Sequence, residues 1–207
     1  MDKIIFATSN KGKFDWFQRH LNEVGLHDLQ LEQAKLDLTE IQSMDIAAIS
    51  LFKARQAYDL LQTPVVVMDG GFYIDGLNGF PAAYTRDMTD TIPMDIWGKI
   101  ISVLDQKTCH FENVATYIYG PDQYEQFFDT TGDVFSLTDQ VWPTDREGQW
   151  SALWRVLVPS KYGYTKPMAS FDDAELEAYL QKRQVYKGDS CMEQVARYLS
   201  DQIRQAA

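Results

Sequence analysis

The sequence predicts an α/β fold in which a mixed, twisted sheet is flanked by helices. Residues 3–7 read as a first strand, apolar from Ile4 to Ala7, and a polar loop and a helical pattern follow it. Residues 65–68 form a second apolar run typical of a buried strand. Residues 109–119 and 124–135 read as two long strands joined by a turn at residues 120–123, which predicts a hairpin. Strand–loop–helix units together with a hairpin predict both parallel and antiparallel pairing.

The first predicted strand leads into a loop of small polar residues, Thr8, Ser9 and Asn10, and then into a helix. Small polar residues and Gly12 leave backbone N–H groups free at the helix N-terminus, which attracts phosphate, and Lys13 adds a cation one step inside. The loop lacks the glycine spacing of a Walker loop. An ordinary Ser/Asn-capped helix with an exposed Lys13 is the alternative interpretation. The helix is predicted from apolar residues at helical spacing: Phe14, Phe17, Leu21 and Val24.

A second polar loop, residues 36–43, precedes another amphipathic helix. That helix carries the apolar residues Ile46, Ile49, Ala57 and Leu60. Glu40 lies just before it, in a loop that can fold back toward Asp69. Two carboxylates from separate loops, beside Lys13 and free amides, suit a divalent cation that carries phosphate oxygens, since Mg2+ prefers a few carboxylates plus substrate and water. A solvated loop acid is the alternative interpretation of Glu40.

The strand at residues 65–68 runs into Asp69, Gly70 and Gly71, and a second short strand is predicted beyond them. Asp69 is therefore expected where the chain leaves the sheet, which is where open α/β folds place the groups that handle ligands. A turn residue that supports its own backbone is the alternative interpretation of an aspartate before two glycines.

The rest of the chain completes the α/β pattern. Four further elements are predicted, namely a helix over residues 93–104, a strand over 153–158, a helix over 171–183 and a closing helix over 190–203. Pro93 opens the first of these helices, and Asp172 or Asp173 is expected to cap the helix that follows the strand.

The composition predicts one domain with a substantial core. A chain of 207 residues with 45% hydrophobic and 13% aromatic residues can bury such a core, so we expect a single domain over residues 1–207, with two lobes around a central cleft. The net charge of −11, from 30 acidic and 19 basic residues, argues against binding to nucleic acid or to an anionic membrane, because both favour a basic surface.

The two cysteines and three histidines carry little functional signal. Cys109 and Cys191 are too few for a disulfide scaffold and lack metal-ligand spacing, which favours a reducing cytoplasm. The first apolar run is too short for a signal peptide or a membrane span. His20, His27 and His110 are scattered, and none pairs with a nucleophile in the sequence, so we interpret them as structural.

Several runs, in this order along the chain, carry a resemblance to a known family. They are residues 7–13 (ATSNKGK), 40–42 (EIQ), 53–54 (KA) and 69–84 (DGGFYIDGLNGFPAAY). Their order and spacing resemble the inosine-triphosphate pyrophosphatase family through residue 84. The resemblance implies the fold of that family and its activity, the cleavage of noncanonical purine nucleoside triphosphates to the monophosphate and pyrophosphate.

Carried over position by position, the resemblance implies phosphate contacts from Ser9, Asn10 and Lys13, and metal ligation by Glu40. Asp69 would assist the metal or activate the attacking water, so Asp69 and Lys13 are the predicted catalytic residues. Mg2+ is the predicted cofactor, because it neutralises the triphosphate and positions it against water. The other predicted substrate-binding residues are Thr8, Gly70, Gly71, Phe80, Tyr84, Trp154 and Lys187.

The chain departs from the family's pattern at several positions. Met68 lies where many members carry another acid, and Gly70 replaces a serine. The family's phenylalanine-glycine-tyrosine/tryptophan-aspartate-proline run corresponds to residues 150–159, without the aspartate, and its serine-histidine-arginine triplet to residues 190–192, after Lys187. Because those family residues hold the purine base, we expect the phosphate and metal half of the site to be retained and the base preference to be altered.

Two further features have alternative interpretations. Asp75 matches the second acid of the family's run, and a structural role in bracing its loop is the alternative. Trp142, Trp150 and Trp154 can stack on a nucleobase, or they can belong to the core or to a dimer contact.

The sequence thus predicts a cytoplasmic, Mg2+-dependent nucleoside triphosphate pyrophosphohydrolase that forms a homodimer, as its relatives do. One alternative is a nucleotide-binding or regulatory protein of the same fold that has lost turnover; tight binding without pyrophosphate release would mark it. Another is a pyrophosphatase retargeted to a different base. Its mark would be turnover with a substrate profile unlike that of inosine triphosphate.

Overall fold

The computed structural model describes residues 3–129, 133–146, 149–186 and 189–205, with the side chains of residues 184–186 left out. The helices are α1 (Lys11–Glu23), α2 (Ile46–Leu61), α3 (Thr85–Thr91), α4 (Met94–Ser102), α5 (Asp173–Tyr186) and α6 (Cys191–Gln205). The strands are β1 (Lys3–Ala7), β2 (Gln30–Ala34), β3 (Val65–Ile74), β4 (Pro81–Ala82), β5 (Thr108–Gly120), β6 (Gln123–Phe128), β7 (Val134–Leu137) and β8 (Leu157–Val158).

These strands form one mixed sheet in the order β2-β1-β3-β5-β7-β8, with β4 paired to β3 and β6 paired to β5. The β1–β2 and β1–β3 pairs are parallel, whereas β5 pairs antiparallel with both β6 and β7. A mixed sheet with flanking helices confirms the predicted fold class. The chain divides into two compact units. The first comprises Met1–Gly70, Asn113–Thr130 and Asp189–Ala207, and the second comprises Gly71–Glu112 and Thr131–Gly188.

The core of the first unit has two layers because successive residues of β1 point to opposite faces of the sheet. Ile4 and Phe6 pack with Phe17 of α1 and with buried residues of α6. Ile5, on the other face, packs with Ala54 of α2. The Phe6 and Phe17 rings meet edge to face, with their centroids 5.5 Å apart. The predicted amphipathic helices α1 and α2 therefore cover opposite faces of the same strand.

The second unit has a core of its own around Trp97 of α4. Trp97 is fully buried and belongs to one cluster with Phe72 of β3, Phe135 of β7 and Leu157 of β8. Helix α4 begins after Pro93, as the sequence predicts. Asp172 accepts a hydrogen bond from the backbone N–H of Glu175 (2.8 Å), which confirms Asp172 as a cap of α5.

Some predicted elements were wrong in their extent or type. The strand expected over residues 124–135 is two strands, since β6 ends at Phe128 and β7 begins at Val134. In the segment 153–158, only Leu157–Val158 is a strand, and Ala152–Arg155 forms a 3-10 helix. Strand β2 was missed because its sequence, QLEQA, is mostly polar and its strand conformation depends on pairing with β1.

The segment around Asp69 also differs from the prediction. A single strand, β3, runs without a break from Val65 to Ile74 through Asp69, Gly70 and Gly71, so the chain does not leave the sheet at Asp69. Gly71 does not form a turn; it allows the backbone of β4 to pack closely against β3. A Cβ atom there would lie 2.9 Å from the backbone carbon and oxygen of Ala82 in β4.

Among the residues that the structure describes, no helix combines the length and the apolar character needed to cross a lipid bilayer. The helices are instead amphipathic or partly polar, as in α6, which turns Met192, Val195 and Leu199 into the core of the first unit.

Candidate active site

In the first unit, the carboxylates of Glu40 and Asp69 meet at one ammonium group. Lys53 Nζ donates to Glu40 Oε1 and to Asp69 Oδ1, each at 2.8 Å. The side chains of Lys53 and Asp69 are 16% and 15% exposed, whereas Glu40 is 64% exposed. The group therefore has a buried side and a side open to solvent.

Three elements place these side chains. Asp69 lies in the interior of β3, Lys53 lies on α2, and Glu40 belongs to the loop before α2. Gln56, one turn after Lys53, pins this loop to the helix: its amide oxygen accepts from the Thr39 N–H (3.0 Å), and its amide nitrogen donates to the Thr39 carbonyl (2.8 Å). The predicted approach of the Glu40 loop to Asp69 is thus present, with Lys53 as the link.

Lys13 adds a second cation to this group. It lies in the first turn of α1, and its Nζ donates to the Met68 carbonyl at 3.3 Å, next to Asp69. Burial lowers the pKa of Lys13, and the Asp69 charge opposes this effect. Burial also acts to lower the pKa of Lys53, but the charges and hydrogen bonds of Asp69 and Glu40 outweigh it, so this pKa is raised.

The donor set fits a magnesium ion that is shared with a substrate. Asp69 Oδ2 is buried and has no hydrogen-bond partner among the described residues, so this oxygen can still accept a ligand. The described residues contain no group of three or more His, Cys, Asp or Glu side chains arranged to hold a metal. Glu40 and Asp69 alone would leave most positions to phosphate and water, which is how Mg2+ is commonly bound.

The predicted phosphate loop precedes α1, as expected. The side chain of Asn10 caps the helix by accepting from the Lys13 N–H (3.0 Å), and the Asn10 N–H donates to Thr8 Oγ1 (3.1 Å). Ser9 is exposed. The Asn10 cap of the alternative interpretation is therefore present, but Lys13 is half-buried rather than exposed. The N–H groups of Lys11 and Gly12, which precede the first intrahelical bonds, are left available to an anion.

Asn10→Ala is expected to destabilise the protein by about 1 kcal/mol, because it removes the cap of α1. Urea denaturation followed by circular dichroism measures this loss. Asn10→Asp is the matched control, since it keeps an oxygen acceptor for the Lys13 N–H. Equal stability of the alanine variant and the unmodified protein would contradict the capping role.

The other predicted substrate-binding residues have mixed surroundings. Gly70 lies next to Asp69 in β3, and in the second unit Phe80 is 42% exposed and Tyr84 immediately precedes α3. Trp154, in the core of the second unit, is 5% exposed and packs edge to face on Trp150, which is 60% exposed. Lys187 lies outside the described residues.

Asp75, Ser190 and Cys191 have structural partners, and for Asp75 this supports the structural alternative stated from the sequence. Asp75 Oδ2 accepts a hydrogen bond from Thr108 Oγ1, which braces the 3-10 helix at Asp75–Leu77. Ser190 Oγ accepts from the Glu193 N–H (3.1 Å) at the start of α6, and the Cys191 N–H donates to Asp129 Oδ1 (2.6 Å). Ser190 and Cys191 are both buried.

Lys53 is the site residue that the sequence reasoning missed as a functional group. It lies on α2 directly before the fully buried Ala54. Such a position predicts a lysine whose stem is partly covered by the fold, but it does not say which acids the ammonium contacts.

Comparison with known proteins identifies relatives of this chain. A model of the Ham1 family matches residues 4–135. The chain is 33% identical over 115 residues to a dITP/XTP pyrophosphatase of Methanopyrus kandleri, an alignment that covers 56% of this chain and 60% of the relative. It is 33% identical over 125 residues to inosine triphosphate pyrophosphatase 2 of Trypanosoma cruzi, covering 60% of this chain and 62% of the relative. The chain thus spans about three fifths of the length of these curated relatives.

Solved structures resemble the fold over nearly the whole chain. The Ham1 protein of Staphylococcus aureus superposes with a TM-score of 0.66 at 15% identity, covering 99% of this chain and 100% of that one. A HAM1 protein of Coxiella burnetii superposes with a TM-score of 0.65 at 16% identity and the same coverage. At these identities the likeness establishes the fold.

Proposed function

Because the chain belongs to the Ham1 family, we propose that it hydrolyses noncanonical purine nucleoside triphosphates to the nucleoside monophosphate and pyrophosphate. The observation that carries this proposal is the charged group formed by Lys13, Glu40, Lys53 and Asp69. Phosphoryl transfer needs mainly placement of the substrate and compensation of its charge, and this group offers both. The names of the relatives, dITP/XTP pyrophosphatase and inosine triphosphate pyrophosphatase, point to the same substrate class.

Each residue has a distinct role in the proposed reaction. Lys13 and the free N–H groups at the start of α1 bind the phosphate oxygens. Asp69 orients the attacking water and accepts its proton. The water oxygen forms a bond to the α-phosphorus. At the same time the bond from the α-phosphorus to the oxygen that bridges it to the β-phosphate breaks, and pyrophosphate leaves. Lys53 orients Asp69 through the 2.8 Å contact to Oδ1 in the substrate-free site.

We also propose that Glu40 and Asp69 hold Mg2+ together with the substrate. When bound, the ion would supply charge neutralisation of the triphosphate and fix its position. Two observations support this assignment: Asp69 Oδ2 has no hydrogen-bond partner among the described residues, and the Glu40 carboxylate is exposed.

The preference among bases is the part of this proposal that the family's base-binding residues do not support. Ser190 and Cys191 fall where the family carries base-binding residues, yet here they are buried at the start of α6. Two alternatives therefore remain: a pyrophosphatase retargeted to another base, and a nucleotide-binding protein of this fold without turnover.

A homodimer and a cytoplasmic location complete the proposal. The homodimer follows from the family resemblance, and sedimentation equilibrium tests it. The buried free thiols of Cys109 and Cys191 fit a reducing compartment.

The experiment that tests the function is a panel of deaminated purine, ordinary purine, pyrimidine and modified nucleoside triphosphates, assayed for pyrophosphate release with Mg2+. We expect turnover to concentrate in one group of bases. Nucleotide binding without pyrophosphate from any member of the panel would overturn the proposed reaction and favour the binding-protein alternative.

A further inference from the structure

We propose that Lys53 is a built-in counter-cation that competes with Mg2+ for Glu40 and Asp69, so that the metal enters the site together with a nucleotide. The inference rests on the proposed function, because it takes these two carboxylates as the metal-binding groups. It concerns what the site does before the substrate arrives, and it assigns Lys53 as a positioning residue.

The geometry supports direct competition. One ammonium lies 2.8 Å from Glu40 Oε1 and 2.8 Å from Asp69 Oδ1, so it occupies the position between the two carboxylates that a shared cation would require. The Lys53 side chain is 16% exposed and therefore held by its surroundings. A metal that takes both carboxylates must displace this ammonium from at least one of them.

The charge balance makes displacement by the metal alone unfavourable. Glu40 and Asp69 contribute two negative charges, and Lys53 and Lys13 contribute two positive charges, so the group has little net attraction for a free divalent cation. Taking the carboxylates would also leave the Lys53 ammonium next to the metal without its hydrogen-bonded partners.

A nucleoside triphosphate removes this obstacle. Its phosphate oxygens carry several negative charges and offer new partners to Lys13 and Lys53, while they supply ligands to the metal. Metal binding and nucleotide binding are therefore expected to be coupled positively, and each should be weak without the other.

The test is isothermal titration of Mg2+ into the nucleotide-free protein at low ionic strength. Lys53→Met and Lys53→Gln both remove the ammonium, and we expect each to bind Mg2+ about tenfold more tightly than the unmodified protein, since a like charge next to the metal is gone. Lys53→Gln keeps a hydrogen-bond donor near the carboxylates and is therefore the milder change. If Lys53→Met does not fold, the Mg2+ affinity of Lys53→Gln tests the inference. Circular dichroism establishes the folded state of both.

Lys3→Met is the matched control. It removes one positive charge and one lysine–glutamate pair of the same unit, Lys3 Nζ to Glu32 Oε2 at 2.7 Å, and should leave Mg2+ affinity within about twofold. Equal or weaker Mg2+ binding by folded Lys53→Gln would overturn the inference. A gain of Mg2+ affinity without any pyrophosphate release from the nucleotide panel would uphold it while the proposed hydrolysis failed.

Discussion

Asp69→Asn is expected to lower kcat by about a thousandfold or more, because the amide can neither accept the proton of the attacking water nor bind a cation as a carboxylate does. The fold should persist. Asparagine has nearly the same shape, and the position lies in the interior of β3, where the backbone pairing does not depend on the side chain. Steady-state kinetics with the best substrate of the panel measures the loss, and thermal denaturation reports the fold.

Asp75→Asn provides the matched control for this variant. Asp75 belongs to the same acidic run, but its carboxylate accepts from Thr108 and braces a 3-10 helix, and an asparagine oxygen can still accept that bond. We expect its kcat to stay within about threefold of the unmodified value. Normal turnover by Asp69→Asn would refute the proposed mechanism.

Lys13→Ala is expected to raise KM by about tenfold to a hundredfold, since a charge-assisted contact to phosphate is lost. The Lys13 side chain is half-buried and its ammonium donates to the Met68 carbonyl next to Asp69, whereas the neighbouring Lys11 is exposed and pairs with Asp15. Lys11→Ala is therefore the control, with an expected KM close to that of the unmodified enzyme. A larger KM effect at Lys11 than at Lys13 would contradict the assignment.

The pH dependence of kcat/KM should also report the loss of the Lys13 positive charge. Only the protonated ammonium attracts phosphate, and burial lowers its pKa from the ordinary value of 10.5, so the charge is lost as pH rises through this lowered value. We expect an alkaline decline in kcat/KM below pH 10.5 that Lys13→Arg shifts upward, because arginine stays protonated. Activity that is level up to pH 10.5 would argue against a role for the Lys13 charge.

The main frame of the fold could be predicted from the sequence because its signals are local. The apolar runs of β1 and β3 and the helical spacing of α1 and α2 reflect burial on one or two faces, which periodicity records directly. Strand β2 escaped prediction because its polar sequence becomes a strand only by pairing with β1. The two glycines after Asp69 suggested a turn, whereas Gly71 is required by the close approach of β4, a long-range contact.

The candidate site was predictable to a similar extent. Lys13, Glu40 and Asp69 could be picked out from polar loops and strand ends, and the structure places them in one group. Lys53 could not, because a lysine on an amphipathic helix is usually solvated and its two carboxylate partners are 13 and 16 residues away in sequence. Only the packing of α2 against the sheet brings them together.

The most direct test of the central claim is phosphorus-31 NMR of the products formed from inosine or xanthosine triphosphate with Mg2+, with the unmodified protein and with Asp69→Asn. We predict that the unmodified protein forms nucleoside monophosphate and pyrophosphate in equal amounts, and that the variant forms neither at a comparable rate. Release of nucleoside diphosphate and inorganic phosphate, or equal rates for the two proteins, would contradict the assignment of this charged group as a nucleoside triphosphate pyrophosphohydrolase site.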